Sequence, residues 1–166
     1  MAAGGPPNLL CVIGEPTIES AQKLMKHPGA RLVVVTGGPA VVAQAMESGK
    51  RAVCAGPGNP PVVVDETAEL DRAAKGIVAG ASIDNNIVCI AEKEVFAVRD
   101  IADALKKQLE RHGAAIMSDA DIEKLERTVL TKDGHTNKEW VGKDAARIAD
   151  AIGKRVPQET RILLCE

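Results

Sequence analysis

Cys89 has the most chemically suggestive setting of any side chain in this sequence. Asp84, Asn85 and Asn86 precede it, and all three favour turns. The strand-like run Glu92 to Val98 follows it. The thiol therefore belongs where a loop meets a new element. There a cysteine can fill a core, form half of a disulfide, bind a metal or act as a nucleophile. A nucleophilic thiol needs access and either a lowered pKa or a neighbouring base. No histidine adjoins Cys89, so the residues alone leave core filler and nucleophile both open. Cys11 and Cys165 lie in apolar runs and read as small buried hydrophobes.

Two of the four uses are disfavoured by spacing. The four cysteines form no CxxC pair and the three histidines form no HxxxH pair. Zinc sites show close paired ligands, and small secreted scaffolds are denser in cysteine. A reduced, cytoplasmic, metal-free protein is the expectation.

A second chemical signal is the turn Thr36-Gly37-Gly38-Pro39, between the apolar run Arg31–Val35 and a helical segment. Free N–H groups at a helix start favour an anion such as a phosphate. The same residues also describe a plain strand-to-helix turn, in which the glycines merely permit positive φ. Neither GxGxxG nor GxxxxGK[ST] is present, so no standard phosphate fingerprint decides between them. A third loop, "AGPGNPP" at 55–61, has glycines that allow close backbone approach and prolines that stiffen it.

The elements that would position these residues alternate. Residues 8–13, "NLLCVI", read as a buried strand, and a helix opens at Pro16-Thr17 and runs to about Lys26. Strand 31–35 is followed by a helix from Pro39 to about Ser48, with Gly49 as its stop. Strands at 51–54 and 62–64 flank the proline-rich loop. A helix from Thr67 to about Ala81 places Leu70, Ala73, Ala74, Ile77, Val78 and Ala81 at helical spacing. A strand at 93–98, helices at 100–112, 119–130 and 138–152, and a last strand in "RILLC" complete the reading. The stretch 131–137 is the least structured. Such alternation predicts an α/β fold with mostly parallel sheets and flanking helices, and continuous apolar strands suit sheets covered on both faces.

Composition excludes other classes. The chain has 166 residues, enough for an ordinary core, and a net charge of -2 with no basic stripe, so nucleic acid is not an expected partner. One Trp, one Phe and no Tyr leave no platform for base stacking. No apolar run is long enough to cross a membrane. The N-terminal residues have neither the positive region nor the long apolar region of a secretory signal.

Taken together, "VVTGGPAVV", "GPGNPPVVVDETAELDRA" and "SIDNNIVCIAEKEVFAV" resemble the aldehyde dehydrogenase superfamily. More narrowly they resemble its coenzyme A-acylating branch, the acetaldehyde and propionaldehyde dehydrogenases of ethanolamine and propanediol microcompartments. The resemblance runs from "GGPPNLL" to "RILLCE". It implies that Cys89 is the nucleophile. It places Thr36, Gly37, Gly38 and Pro39, with Glu15, Pro16, Cys54 and Ala55, around NAD, and makes coenzyme A the co-substrate. Aligning the proline of the hydrolytic motif ELGGK-x-P with Pro60 puts Cys54 where those members carry a water-activating glutamate. A thiol is a poor base there, which favours coenzyme A over water as acyl acceptor. Val42 replaces the second glycine of the usual nucleotide turn.

The same resemblance implies a part of a longer protein. Residues 1–60 would be the end of an NAD-binding domain and 61–166 the start of a catalytic domain. The opening cofactor strands, the oxyanion asparagine, the later acidic motif that holds the nicotinamide ribose, the oligomerisation hairpin and the targeting extension are expected to lie outside it. The parent is expected to be a homo-oligomer acting on a small aldehyde, in the cytoplasm or a microcompartment lumen. The alternative is a non-catalytic fragment acting only by binding or assembly.

Overall fold

The computed structural model describes residues 4–166. The chain divides into two compact units, one ending at Pro57 and one spanning Gly58–Glu166.

In the first unit, α1 (Ile18–Lys26) starts at Thr17. Its side chain accepts from the Ser20 N–H while the Ser20 hydroxyl accepts from the Thr17 N–H, so two otherwise orphaned donors are satisfied. Strand β1 (Leu32–Thr36) pairs in parallel with β2 (Arg51–Ala55), and α2 (Pro39–Met46) connects them. Proline suits the first turn of α2 because its missing N–H would be unbonded there anyway. Val33, Val35 and Ala45 form the core, with Val41, Val42, Ala52 and Cys54 packed against it.

Two expectations are corrected here. Residues 8–13 form no strand, and Leu10 and Val12 are 92% and 94% exposed. Apolar β-forming residues make a strand only where a neighbouring strand takes up their backbone groups, and none does so here. Cys11 is accordingly exposed rather than a core filler. Nor is the β1–β2 sheet covered on both faces: β1 alternates exposed and buried residues.

The second unit has two parallel pairs. Strand β3 (Pro61–Val64) pairs with β4 (Glu94–Ala97), and β5 (Ala114–Ile116) pairs with β6 (Ile162–Leu164). Helices α3 (Leu70–Ala81) and α4 (Arg99–Arg111) pack on one another, and both pairs share their core. Ala74, Ile77, Val78, Leu105 and Leu109 are buried there, with Val95, Ile162 and Leu164 against them. Leu163, between the last two, faces the opposite core, with α5 (Asp119–Val129) and α6 (Ala145–Ala151). This is the period-2 alternation of a strand with apolar layers on both sides.

Three local expectations shift. The helix begins at Leu70, not Thr67, because the Asp65 carboxylate accepts from the Thr67 N–H and hydroxyl and holds a turn in front of it. The helix expected over 138–152 forms only from Ala145, where Asp144 is the cap. Strand β5 had no sequence signature, since three residues are too few to show a period. Cys165 follows β6 and is exposed, although partial desolvation of the sulfur, with Glu126 nearby, raises its pKa.

Candidate functional site around Cys89

The route to Cys89 is an unusual piece of backbone. After α3, Asp84, Asn85 and Asn86 are all left-handed, with φ of 48°, 50° and 64°. Few residue types tolerate that region apart from glycine, asparagine and aspartate. Their polar side chains then hold the turn. Asn86 Nδ2 donates to the Ala81 carbonyl at 2.6 Å and the Glu92 carbonyl at 3.0 Å. Asn85 Nδ2 donates to the Gly142 carbonyl at 3.0 Å and to Asp144 Oδ1 at 2.9 Å. The turn motif seen in the sequence is therefore a pinned loop that starts the approach to the thiol.

Cys89 occupies the second position of a tight turn, Val88 to Ala91, closed by Ala91 N–H donating to the Val88 carbonyl at 3.0 Å. Cys89 is exposed, Ile90 is 77% exposed, and Ala91 anchors the turn at 3%. The Cys89 N–H donates to no acceptor among the described residues. The geometry thus offers an accessible thiol beside a free backbone donor, the pair that acyl chemistry requires.

The proline-rich loop supports this turn from below. Gly58 lies directly against the Cys89 carbonyl: an added Cβ would stand 3.2 Å from the carbonyl carbon and closer still to its oxygen. This is the close backbone approach that the loop's glycines permit. The Pro60 carbonyl accepts from the Lys93 N–H at 3.0 Å, tying the end of the Cys89 loop to the start of β3. The Lys93 side chain, which carried no signal in the sequence, turns back into the loop. Its Nζ donates to the carbonyls of Asn86 (3.0 Å), Val88 (3.1 Å) and Ala91 (3.3 Å).

In the first unit the Thr36–Pro39 turn and the end of β2 meet. Thr36 is in register with Ala55, Val35 with Cys54, and the Gly37 N–H donates to the Ala55 carbonyl at 3.1 Å. An added Cβ on Gly37 would sit 2.8 Å from Val41 Cγ1, so this glycine is required by space. Neither Gly37 nor Gly38 has positive φ, so the permissive-φ account of the turn does not hold. Gly38 is the N-cap of α2 and supplies no side-chain acceptor, and nothing lies within 4 Å of where its Cβ would be. Glu15 and Pro16 are exposed just before α1, and no described hydrogen bond ties them to the turn. Cys54 is half-buried against the Val33–Val35 core.

A cleft of about 720 Å³ lies apart from the thiol. It runs between β4 and β6, with Ile77, Leu109 and Ile148 in its lining and Asn86 and Lys93 among its polar groups; Cys89 does not line it. No cluster of three or more His, Cys, Asp or Glu able to hold a metal occurs among the described residues. Among the described residues no helix is long and apolar enough to cross a membrane.

The chain is similar to known proteins along its length. The chain is 49% identical over 172 residues to the acetaldehyde dehydrogenase (acetylating) EutE of Salmonella typhimurium, covering 100% of this chain and 37% of the relative. The propionaldehyde dehydrogenase of the Clostridium phytofermentans fucose utilisation microcompartment superposes with a TM-score of 0.90 at 42% identity, over 99% of this chain and 38% of that one. Rhodopseudomonas palustris propionaldehyde dehydrogenase, with bound CoA and an acylated cysteine, gives 0.84 at 45% identity, over 91% and 35%. An engineered glycolyl-CoA reductase with bound NADP+ gives 0.84, also at 45%, over 91% and 34%. The chain thus spans little more than a third of the length of these proteins. The aldehyde dehydrogenase family model matches residues 1–138, and the chain belongs to that family.

Proposed function

We propose that this chain carries the nucleophile-bearing part of a coenzyme A-acylating aldehyde dehydrogenase, oxidising acetaldehyde or propionaldehyde to the acyl-CoA. The observation that supports it is Cys89, exposed at the tip of a pinned turn beside its own N–H, which donates to no described acceptor. In the reaction the Cys89 thiolate attacks the aldehyde carbonyl and forms a C–S bond. The Cys89 N–H meets the developing oxyanion, and one such donor contributes on the order of 3 kcal/mol. After oxidation the acyl group is a thioester on Cys89. The coenzyme A thiol then attacks it, and the Cys89 thiol is restored.

NAD, when bound, supplies the hydride acceptor. The turn fits a dinucleotide phosphate on two observations: α2 starts without a side-chain cap, and the space over Gly38 is open. Thr36, Gly37, Gly38 and Pro39 would hold it, with Ala55, Cys54, Glu15 and Pro16 as further contacts. Cys54, with no carboxylate to activate water, leaves coenzyme A as the acceptor. Residues up to about 60 belong on this reading to the cofactor domain and the rest to the catalytic domain. The whole protein would be a cytoplasmic homo-oligomer, housed in a microcompartment where one is made.

A second reading is favoured by two exposed apolar register pairs, Val34 with Val53 and Val63 with Phe96, on two-stranded sheets: a fragment that acts by association alone. One experiment separates them. The chain is incubated with propionyl-CoA and its mass measured, then with propionaldehyde, NAD and coenzyme A while NADH is followed. Acylation mapped to Cys89 supports the catalytic reading. Acylation elsewhere, or none at all, refutes it.

A further inference from the structure

We propose that Lys93 is a positioning residue that aims the oxyanion donor of Cys89, an inference that rests on the nucleophile reading above. A lysine ammonium has three N–H donors and no acceptor. All three are used here on backbone carbonyls, those of Asn86, Val88 and Ala91, at 3.0, 3.1 and 3.3 Å. Lys93 is therefore occupied within the loop rather than available as a base or a substrate ligand. Its acceptors lie on both sides of Cys89, and its own N–H is fixed to the Pro60 carbonyl at the start of β3.

The Val88 contact has a particular consequence. The Val88 carbonyl and the Cys89 N–H belong to one peptide unit. No cis peptide occurs among the described residues, and in a planar trans peptide the C=O and N–H point in opposite directions. Drawing the carbonyl toward the ammonium turns the Cys89 N–H outward, away from Lys93 and free of any described acceptor. A charged donor on the carbonyl also polarises the N–H of the same unit, strengthening it as a donor. Asn86 fixes the ends of the loop, but its side chain does not bond this peptide. Lys93 is the one described side chain bonded to this peptide, and it reinforces the backbone bond from the Ala91 N–H to the same carbonyl.

The test separates aiming from simple folding. Acylation of Cys89 by p-nitrophenyl propionate passes through an oxyanion: the sulfur attacks the ester carbonyl and p-nitrophenolate leaves. Alkylation by iodoacetamide displaces iodide at a saturated carbon and forms no oxyanion. Lys93→Met keeps the chain length and removes all three donors. Its Cys89 acylation rate should fall about 100-fold, within the range for losing one oxyanion donor, while iodoacetamide alkylation stays within about twofold by the same argument. Lys93→Gln, which keeps one donor group, should lie between. The melting temperature of Lys93→Met should be nearly unchanged because the side chain is exposed. Equal loss in both reactions would show a collapsed loop and overturn the aiming role, as would unchanged acylation. Alkylation of wild-type Cys89 without acylation overturns the nucleophile reading as well. Acylation by the ester but not by propionyl-CoA removes the coenzyme A reading and leaves Lys93 standing.

Discussion

Gly58→Ala adds one methyl group against the peptide that carries Cys89. Gly58 does not have positive φ, so alanine strains nothing in the backbone itself and the effect is steric. The new Cβ would lie 3.2 Å from the Cys89 carbonyl carbon and 3.5 Å from its Cβ, with the carbonyl oxygen nearer than either. Carbon pairs prefer about 3.5–4.0 Å, so relief requires a shift on the order of 1 Å. Two routes exist. If the loop resists, overpacking costs about 1–3 kcal/mol and lowers the melting temperature by several degrees. If the loop yields, the thiol and its N–H are displaced, and a misplacement of about 1 Å can cost on the order of 100-fold in rate. Three carbonyl contacts from Lys93 and two from Asn86 brace the loop, so a mixture of both is expected. The assay is Cys89 acylation by p-nitrophenyl propionate, with thermal melts alongside. Gly56→Ala is the control, since nothing lies within 4 Å of its added Cβ. Gly58→Ala acylated as fast as wild type with an unchanged melt would refute the claim that this contact holds the site.

Two further outcomes follow from other parts of the structure. Asp121, 8% exposed, accepts from Lys154 Nζ at 2.8 Å and from the Ser118 hydroxyl and N–H at 2.7 and 3.1 Å. Chiefly through Lys154, and then Ser118, its carboxyl is held well below the usual carboxylate range. A depressed folded pKa means that its stabilisation is complete above the ordinary value of about 3.9 and is lost as pH falls below it. Urea midpoints measured from pH 6 down to pH 2.5 should therefore drop less steeply for Asp121→Asn, and parallel curves would exclude this group as a source of acid lability. Val34 and Val53 are register partners, 67% and 57% exposed, as are Val63 and Phe96 at 76% and 57%. Each pair sits on a two-stranded sheet with open edges, an arrangement prone to association. Light scattering should show mass rising with concentration, and Val34→Lys with Phe96→Lys should suppress the rise; a monomer at all concentrations would contradict this.

Much of the site was legible in the residue types. Thr36-Gly37-Gly38-Pro39 marked a strand-to-helix turn because glycine interrupts a strand and proline suits the first turn of a helix. Asp84-Asn85-Asn86 marked a turn before Cys89 because few other residues accept three successive left-handed conformations. The glycines of the 55–61 loop signalled a close approach, though not what they approach. The periodicity of Ala74, Ile77, Val78 and Ala81 placed the core face of α3. These are local properties: φ preferences and spacing act over a few residues and need no partner.

What the sequence could not settle was decided by contacts between distant segments. Residues 8–13 have the composition of a strand, yet a strand exists only when another supplies hydrogen bonds, and none does. The apolar runs around Cys11 and Cys165 predicted burial, but both thiols are exposed, so access alone does not distinguish Cys89 from them. Its distinction is its surroundings: Gly58 beneath its carbonyl and Lys93 bonded to the carbonyls around it. Nothing in the string of residues marks Lys93, because its role depends on three carbonyls converging on one point. That convergence is produced by the fold of the loop against β3 and β4, and local preference alone cannot specify it.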